Sequence, residues 1–280
     1  MDIATIGGLL ISFGGLFIAV LIVGGNVMAF FHLDAAFIIV GGTFGATMFS
    51  YPMPVFINAF TSVLRNVFFS RGEVDYTGTI GTLVSFASKA RREGLLGLEE
   101  DVNQLDDKFL QKGMQLVVDG TDIELVRHIM ETDLGFLEAR HKQGSDFFTC
   151  MGGYAPTMGI VGTVMGLIDL LARGMDDPAA MVKGISTAFG ATLLGIGSAN
   201  LIWLPIATKL KIRSEDEVLL RQMMVEGVCS ISAGDNPRIV EEKLKAFLPP
   251  KLRAVSVTGG GREEKEAAPA AAAAAAPAKK

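Results

Sequence analysis

The chain has 280 residues and a formal net charge of −5; 50% of its residues are hydrophobic and only 20% are charged, below the roughly 25% of an average soluble domain. A mean hydropathy of +0.41 also argues against an ordinary soluble protein. The basic residues form no dense patch, and Cys150 and Cys229 lack metal-ligand spacing. Nucleic-acid binding, a metal site and a disulfide framework are therefore all disfavoured.

The first predicted element is a hairpin of two membrane-spanning helices in residues 1–50. Residues 3–23 form an uncharged apolar run, and about 20 such residues cross the hydrocarbon core. A secretory signal peptide is the alternative, but it would need a basic leader, whereas the chain starts Met1-Asp2-Ile3. A tight turn through Gly24-Gly25-Asn26 leads to a shorter second span, predicted from Ala35 to Phe49.

Residues 51–146 are predicted to form a cytoplasmic helical domain. Apolar residues at helical spacing predict a helix from Thr77 to Arg92, ended by Gly94, and a second helical stretch from Leu98 to Val118. A third helix starts after the N-cap pair Thr121-Asp122. If it continues unbroken into the next span, it is about 50 residues, or about 75 Å, long.

A second membrane hairpin is predicted in residues 147–206, with spans from Phe147 to Leu171 and from Met181 to Ile206. Residues 207–254 continue as cytoplasmic helices that pair with the preceding long helix. Residues 255–280 form an Ala/Pro/Lys tail that we expect to be disordered. The predicted fold is an all-α integral membrane protein with four transmembrane helices in two hairpins.

The distribution of Lys and Arg predicts the orientation. Ten of them lie between Tyr51 and Asp146, and Lys209, Lys211 and Arg213 follow the fourth span, whereas the link between spans one and two has none. Because these cations stay on the cytoplasmic side, both termini are predicted to be cytoplasmic.

Groups for covalent chemistry are missing. The three histidines, His32, His128 and His141, belong to no Ser-His-Asp or HExxH arrangement, so we predict no catalytic residue and no enzymatic activity. Acidic groups occur only near the outer span ends, at Asp34 and Asp169. An ion carrier needs an ionisable group at depth, so the chain alone is predicted to be a poor transporter.

Spans three and four carry small residues on one face each, which lets helices approach closely. The residues expected at this contact are Gly159, Gly162, Gly166, Ala188 and Gly195. The same faces place the hydroxyls of Thr163 and Thr192 near mid-depth. They either line an ion path or serve only packing, bonded to the carbonyl four residues back.

Two prolines lie toward the cytoplasmic side of these spans, Pro156 in span three and Pro205 in span four. Each removes a helical hydrogen bond. The result is either a static kink or a hinge that transmits motion.

The motifs APTMGIVGTVMGLIDLL and AFGATLLGIGSANLIWLPIATKL, with two N-terminal spans and an insertion containing ARREGLLGLEE, resemble the A subunit of the bacterial flagellar stator. This is the motility protein A family, with proton-type MotA and sodium-type PomA, and the resemblance covers residues 1 to about 250. It implies a pentamer in the bacterial inner membrane around a dimer of B subunits. Each B subunit has one span with an ion-binding aspartate and a peptidoglycan-binding domain.

The resemblance also implies what the complex does and what it carries. Ion-motive force becomes torque on the flagellar rotor, and the aspartate of the B subunit accounts for the missing carboxylate. The transported ion is H⁺ or Na⁺, and no cofactor is implied.

The family's functional residues transfer to four positions in the spans. Pro156 and Pro205 match prolines that couple ion passage to cytoplasmic movement. Thr163 and Thr192 match polar residues that face the ion-binding carboxylate.

A charged pair in the insertion matches residues that meet the rotor switch protein. The pair is Arg91 and Glu99, and the neighbouring Arg92 and Glu100 are the alternatives in register. From the sequence alone, such charges would be an ordinary solvated face.

Three other functions remain open. An ExbB- or TolQ-type energy transducer shares the span motif but usually has one N-terminal span. A self-sufficient channel or transporter would conduct ions without a partner. A purely structural scaffold would not need the two threonine hydroxyls.

Overall fold

The structure is a computed structural model that describes residues 3–22, 33–63, 67, 75–172 and 178–253. These residues are helical almost throughout, and none of them lies in a β-strand. The predicted all-α fold is thereby confirmed. The turn at Gly24-Gly25-Asn26, residues 173–177 of the second hairpin link and the tail at 255–280 lie outside the described residues.

Among the described residues, four helices contain long apolar stretches, and two short elements follow the second of them. They are α1 (Ile3–Ile22), α2 (Leu33–Ser50), α3 (Met53–Asn58) with a π-helical turn (Ala59–Val63), α7 (Ile123–Ala172) and α8 (Pro178–Ser198). Four stretches are long and apolar enough to cross a membrane: Thr5–Ile22, Leu33–Ser50, Ile123–Ala172 and Met181–Ser232. The prediction of four spans is confirmed.

Further helices make up most of the remaining described residues. They are α4 (Tyr76–Glu93), a 3₁₀ turn (Leu95–Leu98), α5 (Glu99–Asn103), α6 (Lys108–Val118), α9 (Leu204–Ser232), α10 (Pro237–Lys245) and α11 (Pro250–Arg253). A second π-helical turn, Ala199–Trp203, joins α8 to α9.

The chain folds as two compact units. The first is drawn from Met1–Glu73 and Gly135–Glu217, and the second from Val74–Leu134 and Val218–Lys280. Both α7 and α9 therefore contribute residues to both units.

The long helix α7 is continuous over 50 residues, so the third cytoplasmic helix and the third span form one unbroken helix. Asp122 caps its N-terminus, because its Oδ1 accepts a hydrogen bond from the Glu124 amide at 2.9 Å. Gly94 ends α4 with a φ of 80°, a left-handed backbone conformation that glycine adopts readily.

The prediction of one helical stretch from Leu98 to Val118 is wrong. The structure divides it into a 3₁₀ turn, α5 and α6, with an interruption at residues 104–107. The physical reason is Asp107, whose Oδ1 accepts hydrogen bonds from the amides of Phe109 and Leu110 at 2.8 and 2.9 Å. This N-cap starts a new helix where the apolar pattern alone runs on.

The second unit has a well-packed core formed by α4, α5, α6, α9, α10 and the N-terminal part of α7. Side chains such as Ile80, Leu83, Val228 and Leu244 are fully buried there. A Cβ added at Gly227 would lie 2.6 Å from Leu83 Cδ1, which shows how closely α9 approaches α4.

Ion pairs join α10 to α9 and to the loop between them, at the edge of this core. Lys243 Nζ lies 2.8 Å from Asp235 Oδ2 and 3.6 Å from Glu226 Oε1. The hydrogen bond to Asp235 is the main cause that raises the pKa of Lys243. Burial raises the pKa of the Cys229 thiol, so this thiol stays protonated near neutral pH.

An aromatic cluster occupies one end of the first unit, where α2, α3, α7 and the second π-helical turn meet. Its rings are Phe44, Tyr51, Phe56, Phe60, Phe147, Phe148 and Trp203, with neighbouring centroids 5.2–6.4 Å apart. Aromatic residues with polar atoms, Tyr51 and Trp203 here, are typical of the membrane–water boundary.

The buried face of α2 carries one polar atom without a hydrogen bond. Ala35, Ile39, Thr43 and Thr47 are its buried residues. Thr47 Oγ1 donates to Thr43 O at 2.7 Å, but Thr43 Oγ1 has no partner among the described residues. A buried hydroxyl without a partner lowers stability.

We expect Thr43→Val to stabilise the protein by about 1–2 kcal/mol, because valine keeps the shape and removes the unpaired hydroxyl. Chemical unfolding in detergent, followed by circular dichroism, measures the change. Thr47→Val is the matched control, since it removes a hydroxyl that is hydrogen-bonded. Equal effects of the two substitutions would contradict the prediction.

Candidate functional site

Helices α7 and α8 bring the hydroxyls of Thr163 and Thr192 into direct contact. Thr163 Oγ1 also lies 3.0 Å from Gly159 O, four residues back, and 3.0 Å from Ala188 O on the facing helix. Thr163 therefore makes the hydrogen bond within its own helix that a packing role predicts, and its hydroxyl also contacts the facing helix.

The proton count of this cluster restricts its hydrogen bonding. A hydroxyl has one proton, and carbonyl oxygens only accept. The arrangement with the most hydrogen bonds has Thr163 donating to one carbonyl and accepting from Thr192. Thr192 Oγ1 then keeps two lone pairs that no other described residue uses.

Close contact of the helix backbones makes this hydroxyl pair possible. A Cβ added at Gly195 would lie 2.7 Å from Ala155 O and 2.9 Å from Gly159 Cα. A Cβ added at Gly159 would lie 3.0 Å from Ala191 O. At these two positions, no side chain larger than hydrogen fits without a shift of the backbone.

The other residues predicted for this contact also face the opposite helix. An added Cβ at Gly162 would lie 3.0 Å from Ala191 Cβ, and one at Gly166 would lie 3.5 Å from Ala188 Cβ. The structure thus brings all five predicted packing residues together along the α7–α8 contact.

The two prolines lie in different local structures. Pro156 lies inside α7, which continues through it. Pro205 follows the π-helical turn Ala199–Trp203, in which the Leu204 amide donates to Ala199 O, five residues back. A Cβ added at Gly152 would touch Leu204, so the chain segments just before the two prolines pack against each other.

Sequence reasoning missed the π-helical turn and two polar residues on the same helix. Lys183 is exposed on α8, and Asn200 is exposed in the π-helical turn. In the sequence, Lys183 and Asn200 were recognisable as polar residues within an apolar run. Pro205, which has no amide proton to continue the helix, was the signal for irregular helix geometry nearby.

The charged residues of the insertion lie at a helix junction in the second unit. Arg91 is in the last turn of α4 and Glu99 begins α5, and both are exposed. Among the described residues, neither forms a salt bridge. Arg92 and Glu100 are exposed as well, so both registers remain open.

A neighbouring ion pair holds this junction together. Lys89 Nζ lies 2.8 Å from Asp101 Oδ2, and this hydrogen bond raises the pKa of Lys89. Between the helices, Leu96 is 74% exposed. The junction therefore presents an apolar side chain flanked by charges of both signs.

Comparison with known proteins defines the class. Residues 101–223 match the profile of the "MotA/TolQ/ExbB proton channel family". This is a channel family rather than an enzyme family, and its members lie in membranes, in agreement with the four apolar helices.

Full-length relatives narrow the class further. Motility protein A of Bacillus subtilis (strain 168) is 36% identical over 253 residues, 90% of this chain and 93% of that protein. Motility protein A of Borreliella burgdorferi is 38% identical over 254 residues, 91% of this chain and 96% of that protein. Chemotaxis protein PomA of Vibrio alginolyticus is 34% identical over 257 residues, 92% of this chain and 99% of that protein.

Two solved structures agree with these relatives. "Structure of C. jejuni MotAB" superposes with a TM-score of 0.84 at 34% identity, covering 91% of this chain and 99% of that one. The flagellar MotAB stator complex from Bacillus subtilis gives a TM-score of 0.82 at 36% identity, covering 90% of this chain and 99% of that one. The chain belongs to the motility protein A family, which confirms the resemblance seen in its motifs.

We expect Gly195→Ala to destabilise the protein by about 1–3 kcal/mol, because the added methyl group overpacks the backbone contact. Detergent unfolding of the purified protein measures the change. Gly197→Ala is the matched control, since an added Cβ there meets no atom within 4 Å. A loss for Gly197→Ala as large as that for Gly195→Ala would contradict the prediction.

Proposed function

We propose that this chain is the A subunit of a flagellar stator, which conducts H⁺ or Na⁺ with a B subunit and turns the ion flow into torque on the rotor. The observation that carries the proposal is the Thr163–Thr192 hydroxyl pair between two spans. The nearest acid along either helix, Asp169, lies six residues beyond Thr163 and closer to the helix end.

The hydroxyl pair fits an ion path that needs a partner. An uncompensated charge in hydrocarbon costs several kcal/mol, even by lenient scales. The lone pairs of Thr192 Oγ1 offer oxygen ligation to a cation or to its bound water, but they supply no negative charge. In this proposal the compensating carboxylate belongs to the single span of the B subunit.

The exposed surface of the spans is consistent with assembly into a larger complex. Apolar side chains are exposed along α7 and α8, among them Ile160, Met165, Phe189 and Leu193. We infer a pentamer around a dimer of B subunits, supported by the likeness to the two MotAB structures. Lipid and neighbouring subunits would cover these faces.

Coupling to movement is assigned to Pro156 and Pro205. Pro205 follows a π-helical turn, and such turns occur often at functional sites. A register change between π-helical and α-helical hydrogen bonding at this turn would reorient α9 relative to α8. Pro156, on the facing helix, lies one turn beyond the Gly152–Leu204 contact.

The orientation follows from charge and from the proposed assembly. Lys209 and Lys211 follow the fourth span, and the cations of residues 51–146 follow the second. We therefore propose cytoplasmic termini in the inner membrane, with the α4–α5 junction on the cytoplasmic side. There Arg91 and Glu99 can meet the rotor switch protein.

A stand-alone channel and an ExbB- or TolQ-type transducer are the competing functions. The matched profile includes ExbB and TolQ, but the two N-terminal spans and the extensive overlap with motility proteins favour the stator. Only the stator function predicts torque on a flagellar rotor.

The experiment that tests the proposal uses a swimming strain that lacks its own A and B subunits. The chain is co-expressed with a candidate one-span B subunit, and swimming and co-purification are measured. We expect motility only when both proteins are present. If the two proteins co-purify as a complex but the strain does not swim, the stator function is contradicted.

We expect Thr192→Val to reduce ion flux and torque sharply while the complex still assembles, because valine keeps the shape and removes the oxygen. Thr192→Ser should retain much of both. Flux is measured in vesicles with an unplugged B subunit. Ser12→Ala is the control, since that hydroxyl bonds Gly8 O at 2.6 Å within α1. Parental flux in Thr192→Val would show that the hydroxyl serves packing only.

We expect charge reversal at Arg91 or Glu99 to impair torque but not assembly or flux, because exposed charges contribute about 1 kcal/mol or less to stability. They can still control register with a partner. Bead assays of tethered motors measure torque. Arg238→Glu, another exposed cation of the second unit, is the control and should turn the motor normally. Loss of assembly in the Arg91 or Glu99 variants would contradict this role.

A further inference from the structure

A groove opens on the first unit where the end of α2 meets the part of α7 that precedes the third predicted span. Its volume is about 410 Å³. Tyr51, the residue that follows α2, lines it from one side. The α7 residues that line it are Phe136, Ala139, Arg140, Lys142, Gln143 and Asp146.

The groove carries more positive than negative charge. Arg140 and Lys142 are both exposed, and Asp146 is the one acid that lines it. Among the described residues, none of these three forms a salt bridge. Elsewhere on α7, Arg127 does pair with an acid, Glu131, at 3.9 Å. The two cations of the groove are therefore available to a ligand.

Neutral donors lie beside these cations. The Tyr51 hydroxyl and the Gln143 side-chain amide have no hydrogen-bond partner within the part of the chain that the structure describes. A phosphate group presents oxygens that accept hydrogen bonds, and it binds Arg and Lys through charge-assisted hydrogen bonds. The donors of the groove thus complement a phosphate.

The groove also lies at the depth of lipid headgroups. The Tyr51 ring is 5.3 Å from the ring of Phe147, the first residue of the third predicted span. Lys142 and Arg140 precede Phe147 by five and seven residues, about 8 and 11 Å along the helix. The headgroup layer on each side of a bilayer is about 5–8 Å thick. The long side chains of Lys142 and Arg140 can extend into that layer.

We propose that this groove binds the headgroup of an anionic phospholipid, a site that goes beyond the proposed stator function. Arg140 and Lys142 contact the phosphate, and the Tyr51 hydroxyl and the Gln143 amide donate to phosphate or glycerol oxygens. The acyl chains lie along the apolar end of α2, where Phe49 is 95% exposed. A free phosphate would meet the same donors but would leave this apolar surface uncovered. The bound lipid would bridge α2 and α7 at the membrane surface.

The test measures lipid binding to the purified, assembled chain by native mass spectrometry in detergent. The probes are phosphatidylglycerol and phosphatidylcholine with identical acyl chains, because choline neutralises the charge of the same phosphate. We expect about fivefold tighter binding of phosphatidylglycerol, since one basic residue near an anionic surface contributes about that factor and Asp146 offsets the second. Equal binding, as when another copy of the chain fills the groove, would overturn the proposal. The measurement needs no ion flux, so this result would leave the stator function standing.

Two variants change the charge of the groove in opposite directions. Replacing both cations, Arg140→Gln with Lys142→Gln, should lower the preference for phosphatidylglycerol to about one or below. Asp146→Asn should raise it about fivefold above the parent, because the opposing charge is gone. A merely structural role of Asp146 would not increase lipid selectivity. An unchanged preference in either variant would overturn the assignment.

The matched control removes two exposed cations of the second unit, by Lys108→Gln with Arg238→Gln. This variant has the same net charge as the double groove variant and should keep the parental preference. An equal loss in the control would mean that net charge alone attracts the lipid, and would overturn the site.

A competition with soluble glycerol 3-phosphate distinguishes a lipid site from a phosphate site. At the concentration of the lipid, it should not displace phosphatidylglycerol, because it has no acyl chains to cover the apolar end of α2. Displacement at that concentration would identify a site for free phosphate compounds and overturn the lipid assignment.

Discussion

Two glycines, Gly159 on α7 and Gly195 on α8, let the backbones of these helices touch, and the candidate ion site depends on that contact. Thr163 and Thr192 each lie about one turn from one of these glycines, and their hydroxyls meet because the helix axes are so close. A side chain at either glycine would push the helices apart. Close packing of the small-residue faces therefore creates the geometry that the ion-path interpretation requires.

The same contact explains how a chain without a deep carboxylate can belong to a channel family. Oxygen ligands alone lower the cost of a cation in the membrane but do not neutralise it. In the proposed stator, the chain supplies hydroxyl oxygens and a helix pair with two prolines, and the partner supplies the charge. Movement is assigned in this proposal to the π-helical turn before Pro205, which follows the glycine contact along the chain.

Much of this arrangement could be predicted from the sequence, because its causes are local. Apolar runs determine the spans, and the Asp122 cap starts the 50-residue helix where the sequence places it. Asp107 shows the limit, since one capping side chain interrupts an apolar pattern that otherwise continues. The π-helical turn has no side-chain period of its own, so neither the turn nor the exposure of Asn200 follows from spacing. The contact between the two hydroxyls depends on the distance between the helices, and the residue pattern of one helix does not determine that distance.

The central claim is that the hydroxyl pair of Thr163 and Thr192 faces the ion-binding carboxylate of a B subunit. A cryo-EM structure of the complex in lipid nanodiscs, at a resolution that shows ordered water, tests it most directly. The account predicts Thr192 Oγ1 within hydrogen-bond distance of that carboxylate, or joined to it through one water or ion, in at least one copy of the chain. A structure in which lipid covers Thr192 in every copy, while the carboxylate of the B subunit contacts other residues, would contradict it.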